Sequence, residues 1–391
     1  MASAEAAPDI RSGHNENAHV TPYSWTAVQN LKGRVLVGSL IIVVVLALVG
    51  AAMTGAILVS PPSGWGPAHA LSCATTGASR CPTWVNISSV AGGPSERNRA
   101  AMVYDPQDHY TLLFGGYVDN PGWEYYNDTW IFQNGHWTEL FPPQSPGPRA
   151  SPGIAYDSAL GKVVLFGGVA YGIPFNDTWV FSAGNWTEVS TPQAPSARLA
   201  PAMAYDGASS SVVLFGGDFP PTLNVDVALG DTWEFAMNMT WVQLHPTNAP
   251  SPRFGASIAY DSGDGYPVLF GGVNLTSGQT FGDTWALEGS DWVQLAEATS
   301  APPLSWGAMT SLPNGSVLMF GGQTVDGAIN DTWEFSSGVW TQLNPTHSPP
   351  PRAAAALSCN AVGSPLLFGG RYIPSPGSYG PFFNDTWELS E

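Results

Sequence analysis

Positively charged residues are scarce in this chain. Lys and Arg together number 12 against 30 Asp and Glu, which gives a formal net charge of -18. A nucleic-acid partner requires a basic face on the protein that binds it. The composition therefore argues against nucleic-acid binding.

Residues that commonly carry catalysis or hold metals are also few. The chain has 7 histidines, and they are scattered without the spacing of a metal site. It contains no G-x-S-x-G nucleophile elbow. Carboxylates from distant parts of the chain could still converge in an active site, but no pattern in the sequence marks them. We therefore predict no catalytic residue, no metal and no cofactor.

Charge is absent altogether from one long segment, residues 35–60, with the sequence VLVGSLIIVVVLALVGAAMTGAILVS. About 20 apolar residues are enough to span a bilayer as a helix. A cleavable signal peptide is the alternative, with AHA at 68–70 as its cleavage site. The apolar stretch of a signal peptide is shorter, however, and lies nearer the N-terminus. We predict a transmembrane helix.

The flanks of this segment predict its orientation. Lys32 and Arg34 lie directly before it, whereas residues 60–79 carry no charge. The positive-inside rule then predicts a single-pass protein of the cell membrane, with its N-terminus in the cytoplasm and the rest of the chain outside. The predicted parts are a cytoplasmic tail (1–34), a transmembrane helix (35–60), a stalk (61–82) and an outer domain (83–391).

The outer part of the chain repeats one pattern six times. Each copy contains an apolar strand that ends in two glycines, such as VVLFGG at 163–168. An Arg, a run of small residues and Tyr-Asp come before this strand, and Asp-Thr-Trp and a second Trp come after it. The second glycines are Gly116, Gly168, Gly217, Gly272, Gly322 and Gly370. Alternating apolar residues and turn residues predict four short strands, a to d, in each unit.

Four strands in a unit of about 50 residues are typical of one blade of a β-propeller. Over residues 84–391 the units resemble the kelch family, including the related central domain of galactose oxidase. The paired glycines and the Trp ahead of the last strand carry this resemblance. It implies an all-β, six-bladed propeller and says little about chemistry. The Tyr–Cys pair and His ligands of the family's copper oxidases have no match in this sequence.

Three details of the blades follow from the repeat. Residues 83–97 resemble a strand d and its linker, so this N-terminal strand is expected to complete and close the last blade, which ends after strand c. The glycine strand b is expected near the crowded centre, where glycine permits close approach of backbones. The sequence aligns Arg99 as the repeated Arg of blade one, whereas Leu304 replaces that Arg in blade five and Cys359 replaces the Tyr in blade six.

The long b–c loops fall on one rim of the propeller, and several are rich in aromatic residues. Tyr and Trp offer large contact area at low entropic cost, and loops on a rigid scaffold commonly carry function. The alternative is that these rings only pack over the channel mouth. The predicted binding residues are Trp123, Tyr125, Tyr126, Tyr171, Tyr372 and Tyr379, with Asp218 and Asp226 at the margin. Because blades six, one and two are neighbours in a ring of six, the aromatic residues are expected to form one patch.

An extracellular location favours disulfides and N-linked glycans. Cys73 and Cys81 lie close together in the stalk and are predicted to form a disulfide, whereas Cys359 is predicted to be free and buried. The sequons predicted to carry glycans are Asn86, Asn185, Asn238, Asn274 and Asn314. Further sequons fall on the repeated Asn-Asp-Thr-Trp, where the Asn more simply makes a local turn.

These features predict a membrane-anchored, cell-surface binding module that recognises a glycan or a protein through its loop rim. An extracytoplasmic carbohydrate-active enzyme is the first alternative, and a structural component of a surface layer is the second. Carboxylates that converge at the channel mouth would favour the enzyme. An aromatic rim without them would favour binding.

Overall fold

The computed structural model describes residues 82–119, 122–219, 227–296 and 301–390. They form a six-bladed β-propeller in which each blade is a four-stranded antiparallel sheet. The prediction of an all-β, six-bladed propeller is confirmed. The predicted tail and membrane span lie outside the described residues. Within the described ranges, no helix has the length and hydropathy that a membrane crossing requires.

The first half of the propeller contains blades one to three. The N-terminal elements are β1 (Thr83–Asn86) and the short helix α1 (Ser88–Ala91). Blade one contains β2 (Ala101–Asp105), β3 (Tyr110–Phe114), the loop pair β4 (Tyr117–Val118) and β5 (Glu124–Tyr125), β6 (Thr129–Gln133) and β7 (His136–Leu140). Blade two contains β8 (Gly153–Asp157), β9 (Lys162–Phe166), the loop pair β10 (Val169–Ala170) and β11 (Ile173–Pro174), β12 (Thr178–Ser182) and β13 (Asn185–Val189). Blade three contains β14 (Ala202–Asp206), β15 (Ser211–Asp218), β16 (Ala228–Phe235) and β17 (Trp241–Leu244).

The second half contains blades four to six. Blade four contains β18 (Ser257–Asp261), β19 (Tyr266–Phe270), the loop pair β20 (Val273–Asn274) and β21 (Gln279–Thr280), β22 (Thr284–Glu288) and β23 (Asp291–Gln294). Blade five contains β24 (Ala308–Ser311), β25 (Val317–Phe320), β26 (Thr332–Ser336) and β27 (Val339–Leu343). Blade six contains β28 (Ala356–Cys359), β29 (Pro365–Phe368) and β30 (Thr386–Ser390), together with β1.

Strand a, not strand b, is the innermost strand of each blade. The strands a of neighbouring blades contact one another around the axis, as β2 contacts both β8 and β28. Strand b lies second, between strands a and c. The prediction that strand b lies at the centre is therefore wrong. Strand a takes the central position because it is rich in Ala, Gly and Ser, which fit where six sheets converge.

The N-terminal strand completes the last blade, as predicted. β1 pairs antiparallel with β30, so that Trp84 lies opposite Leu389 and Asn86 lies opposite Trp387. The two ends of the domain are thereby joined by a ladder of backbone hydrogen bonds. Without β1, β30 would present an open edge that invites pairing with other chains.

The second Trp of each unit joins neighbouring blades. Trp186 of blade two donates its indole N–H to the hydroxyl of Thr129 in blade one, at 3.0 Å. Its ring packs edge-on against Phe114 of the blade-one glycine strand, with centroids 5.2 Å apart. Equivalent contacts are made by Trp84, Trp137, Trp241, Trp292 and Trp340. The Phe, Thr and Trp of the repeat therefore recur because together they form every interface between blades.

Five blades contain a buried ion pair between the linker before strand a and the start of strand c. Arg149 donates two hydrogen bonds to the carboxylate of Asp177, at 2.6 and 2.7 Å, and a third to the carbonyl of Gly167. Burial alone would raise the pKa of Asp177, but the hydrogen bonds and charge of Arg149 hold it below its usual value. The equivalent pairs are Arg97–Asp128, Arg198–Asp231, Arg253–Asp283 and Arg352–Asp385.

Blades one and five show how this pair can shift or disappear. The repeated Arg of blade one is Arg97, which pairs with Asp128. The alignment that assigned this position to Arg99 is therefore wrong by two residues. In blade five, Leu304 is fully buried where the other blades have Arg. No arginine in the described ranges pairs with Asp331, and burial raises the pKa of this carboxyl above its usual value.

The paired glycines bring strand b against the linker of the next blade. Gly115 and Gly116 have φ angles of 67° and 101°, which disfavour any residue with a side chain. A Cβ atom at Gly115 would lie 2.6 Å from the carbonyl oxygen of Arg149. The glycines are therefore architectural, as predicted, although the close contact is with a linker and not at the axis.

Candidate binding site at the channel mouth

Six residues, one from each blade, form a closed ring of backbone hydrogen bonds just before strand a. The N–H of each donates to the carbonyl of the residue in the preceding blade, at 2.8 to 3.3 Å, and Arg99 closes the ring by donating to Ala354. All six have φ angles between 50° and 60°, which non-glycine residues rarely adopt. The ring consists of Arg99, Ser151, Ala200, Gly255, Trp306 and Ala354. Because each residue is bonded on both sides, its side chain leaves the ring in a fixed direction.

The ring surrounds the mouth of the central channel. The ring residues and the residue after each of them line a cavity of about 130 Å³. Most of the lining consists of Ala, Gly, Pro and Ser, and the two large side chains are Arg99 and Trp306. No carboxylate belongs to this lining in the described part of the chain.

Three polar side chains at the mouth have atoms without a protein partner. The guanidinium carbon of Arg99 lies 4.3 Å from the centroid of the Trp306 ring. Arg99 Nε, Trp306 Nε1 and Ser151 Oγ are buried and have no hydrogen-bond partner among the described residues. Ser151 as a whole is only 6% exposed. Since buried polar groups in folded proteins nearly always have partners, we define Arg99, Ser151 and Trp306 as the mouth cluster and consider it a candidate ligand site.

A cluster of aromatic rings adjoins this mouth. Tyr117 stacks against Trp123 and Tyr125, with centroids 5.3 and 5.4 Å apart. Tyr125 contacts Tyr171 of blade two edge-on at 4.8 Å. Tyr117 also contacts Phe382 of blade six at 6.1 Å. The cluster thus crosses two blade boundaries. We call the rings of Tyr117, Trp123, Tyr125, Tyr171, Tyr379 and Phe382 the aromatic rim.

An ion pair holds the loop of blade six against the loop of blade one. Arg371 donates hydrogen bonds to both carboxylate oxygens of Asp119, at 2.6 and 3.1 Å, and its Nε donates to the carbonyl of Gly380. Its guanidinium carbon also lies 4.4 and 4.3 Å from the ring centroids of Tyr379 and Phe382. The loops that carry the rim are therefore pre-organised, which lowers the entropy lost when a ligand binds.

The hydroxyls of two rim tyrosines stay protonated over the ordinary pH range. Burial, reinforced by the neighbouring Tyr117, raises the pKa of Tyr125 to about 12. Burial also raises the pKa of Tyr379 to about 12, although Arg99 opposes the shift. Tyr171 and Tyr379 nevertheless remain 58% and 44% exposed. The rim therefore offers neutral hydroxyl groups beside accessible apolar ring faces.

The other sequence-predicted binding residues lie in different surroundings. Tyr126 covers Arg97, whose guanidinium carbon is 4.1 Å from the ring centroid, and Phe175, Phe281 and Phe383 cover the equivalent arginines. Tyr126 therefore has a packing role at an ion pair. Tyr372 is half-buried in the blade-six loop, beside Gly380.

Only one of the two predicted aspartates lies among the described residues. Asp218 ends β15 and is buried, at 2% exposure, in the position that Tyr117 and Arg371 occupy in their own blades directly after the glycine pair. Asp226 lies outside the described residues. A role for either carboxylate at the margin of the rim stays a prediction.

Sequence reasoning missed Arg99, Trp306, Tyr117 and Arg371. Arg99 was hidden because it was aligned with the repeated structural arginines. Once Arg97 is recognised as the structural arginine, the residue at the ring position is small in four blades and is Arg or Trp in the other two. This departure from the repeat is the signal that would have identified the mouth cluster.

The cysteine prediction is confirmed where the structure describes it. Cys359 is a free, buried thiol that donates to the carbonyl of Ser311 at 3.1 Å, and burial raises its pKa to about 11. Cys73 and Cys81 lie outside the described residues, so their disulfide stays a prediction.

Over the described ranges, no group of three or more His, Cys, Asp or Glu side chains is placed to hold a metal ion.

The predicted glycan acceptors lie mainly at the surface. Asn86, Asn185, Asn238 and Asn314 are exposed, whereas Asn274 is half-buried and its side-chain amide donates to the carbonyl of Pro252. Attachment of a glycan is therefore sterically simplest at the first four. Glycosylation itself stays a prediction at all five.

The fold and the mouth together define a closed β-propeller scaffold with an aromatic rim, built from loops, beside its channel mouth. The family model described as the KLHDC2/KLHL20/DRC7 Kelch-repeats domain matches residues 78–260 and, in a second overlapping match, residues 211–390. The two matches cover most of the chain, and the protein belongs to this kelch-repeat family. No curated protein matches the chain. The narrower likeness to galactose oxidase stays a prediction.

Proposed function

We propose that this protein is a membrane-anchored binding module at the cell surface, which recognises a glycan or protein ligand through its aromatic rim. Kelch propellers typically serve as protein-interaction modules, and the family match supports that general role. The observation that carries the specific proposal is the aromatic rim, whose rings contact one another across blades six, one and two.

The rim contains both buried and exposed rings: Tyr117 and Phe382 are buried, at 6% and 7% exposure, whereas the exposure of Tyr171 and Tyr379 supports ligand binding over simple packing. Tyr171 and Tyr379 keep 58% and 44% of their surface accessible. Aromatic rings with a polar tip supply large contact area and a hydrogen bond in the same side chain. Contiguous exposed apolar patches on soluble domains commonly mark interaction sites. An enzyme is less well supported, because the mouth lining in the described residues contains no pair of carboxylates.

The binding proposal is tested with the full chain in a mild detergent. A glycan array and a pull-down from secreted and surface proteins identify the ligand. Its affinity is then measured for Tyr171→Ala and Tyr379→Ala. Loss of a central aromatic anchor is expected to weaken binding about 30-fold or more. Phe141→Ala is the matched control, since Phe141 is 83% exposed, follows the outer strand β7 and makes none of the ring contacts of the aromatic rim.

Two outcomes would contradict the binding proposal. Normal affinity in both rim variants would place the site elsewhere on the propeller. A large fall in melting temperature would show that these rings are packing residues. The control variant is expected to match the original protein in both measurements.

The proposed location is tested separately on intact cells. The uncharged segment 35–60 and the flanking Lys32 and Arg34 motivate it. Protease added from outside should cleave the propeller linkers and leave residues 1–34 intact. A propeller that is protected until the cells are lysed would contradict the proposed orientation.

A further inference from the structure

The mouth cluster lies where the aromatic rim meets the channel. We propose that it binds the carboxylate of a uronic acid in a glycan ligand whose sugar rings lie on the aromatic rim. This proposal rests on the binding function proposed above and names the ligand class. It goes further because it assigns a charged subsite to Arg99, Ser151 and Trp306.

The hydrogen-bonding capacity of the mouth cluster fits an anion. Arg99 stacks on Trp306, with its guanidinium carbon 4.3 Å from the ring centroid. Stacking uses the face of the guanidinium group and leaves its in-plane N–H groups available for a planar, bidentate acceptor. Arg99 Nε and Trp306 Nε1 are donors without an acceptor among the described residues, and the hydroxyl of Ser151 can donate as well.

Charge favours one carboxylate over a polyanion. The cavity of about 130 Å³ has room for a single carboxylate. The net charge of -18 repels polyanions such as heavily sulfated chains, so affinity must come from one local charge. Arg371, the other cation of the rim, is already paired with Asp119. Arg99 forms no ion pair in the described part of the chain.

The position of the rim favours a sugar as the carrier of this carboxylate. The guanidinium carbon of Arg99 lies 5.5 Å from the centroid of Tyr117, the ring on which Trp123 and Tyr125 stack. In a uronic acid the carboxylate is bonded directly to the pyranose ring. Tyr117 itself is buried, at 6% exposure, so we expect the apolar faces of the sugars to lie on the exposed rings of Tyr379 and Tyr171.

The test compares two oligosaccharides that differ only in charge. One ends in glucuronate, and the other is the same molecule after reduction of the carboxyl group, which converts glucuronate to glucose. Affinities for the full chain in detergent are measured by calorimetry. Charge-assisted hydrogen bonds are expected to favour the glucuronate form about 10- to 100-fold. This preference should fall as salt rises.

Variants then assign the preference to the mouth. Arg99→Gln is expected to lower the affinity for the glucuronate form to that of the reduced form, and Trp306→Phe should lower it less because the ring remains for stacking. Lys162→Gln is the matched control, since it removes the same charge at the opposite end of the blade, where β9 begins. It should leave both affinities unchanged.

Each contrary result has a distinct meaning. Equal affinity for the two oligosaccharides, without an effect of Arg99→Gln, would overturn the charged subsite while rim binding stands. The assignment of the ligand as a glycan would be overturned if neither oligosaccharide binds and a carboxylate-bearing peptide binds in a way that depends on Arg99. Failure of the binding function itself is recognised separately, by ligand affinity that responds neither to Tyr171→Ala nor to Tyr379→Ala.

Discussion

Replacement of Arg149 by Leu tests the buried ion pairs that the repeat places in five blades. Blade five of the protein itself has this substitution, since Leu304 and Asp331 occupy the repeat positions of the Arg and the Asp. Arg149→Leu would leave Asp177 without its two charged hydrogen bonds and the carbonyl of Gly167 without its donor.

The size of the effect follows from the burial of the two partners. Arg149 is 1% exposed and Asp177 is 21% exposed, so solvent screens the pair only weakly. Removal of one partner of a buried pair costs about 3–5 kcal/mol, because the other charge stays buried. We expect about 3 kcal/mol, the lower end of that range, since Asp177 keeps some contact with water.

The pH dependence of this loss gives a second readout. In the original protein the pKa of Asp177 is lowered, so its ionised form stabilises the folded state near neutral pH. This stability is lost as the pH falls below the ordinary Asp pKa of about 3.9 and through the lowered pKa of Asp177. In the variant the pKa should be raised, as it is for Asp331. The ionised carboxylate then destabilises the folded state, and this destabilisation disappears as the pH falls through the raised pKa and the carboxylate is protonated. The stability difference between the two proteins should therefore shrink on acidification.

Guanidinium unfolding followed by tryptophan fluorescence, at several pH values, measures both effects. The double variant Arg149→Leu, Asp177→Asn is the control and should recover part of the loss, because no buried charge remains. A loss below about 1 kcal/mol, which is the value of an exposed salt bridge, would refute the claim that this pair stabilises the blade. A loss that is independent of pH would refute the electrostatic explanation.

Further predictions concern the blade interfaces and the cysteines. Thr129→Val removes the acceptor of the Trp186 indole and should cost about 1–3 kcal/mol in guanidinium unfolding, because a buried donor is left unsatisfied; an unchanged midpoint would contradict the interface account. Cys359, whose pKa is raised to about 11, should resist thiol reagents near neutral pH until the domain unfolds, and labelling of the folded protein would contradict its burial. Peptide mapping under non-reducing conditions should link Cys73 to Cys81, and a link from either to Cys359 would be incompatible with the strand order.

The architecture was predictable because the same physical contacts recur in every blade. The paired glycines fit against the linker of the next blade, and the Phe of strand b, the Thr of strand c and the Trp of strand d form the interfaces, so each leaves a mark at every repeat. The predicted position of strand b was wrong because strands a and b are both buried and apolar, so hydrophobicity alone does not distinguish them. Only the smaller side chains of strand a show which of the two lies at the axis.

The site was harder to predict because it consists of departures from the repeat. Trp123, Tyr125 and Tyr171 were predicted from composition alone, since aromatic residues in long loops stand out. Tyr126 has the same composition signal, but its half-buried ring covers the guanidinium group of Arg97. Arg99 was assigned a structural role because an Arg two residues away from the repeated one cannot be distinguished from it without the pairing with Asp128.

Oxidative footprinting of the ligand-bound protein tests the central claim most directly. Hydroxyl radicals modify accessible aromatic side chains, and mass spectrometry reports the modification of each residue with and without ligand. The account predicts that the ligand protects Tyr171 and Tyr379, which are 58% and 44% exposed, and leaves Phe141, which is 83% exposed, unprotected. Protection elsewhere, with unchanged modification of both tyrosines, would contradict the account.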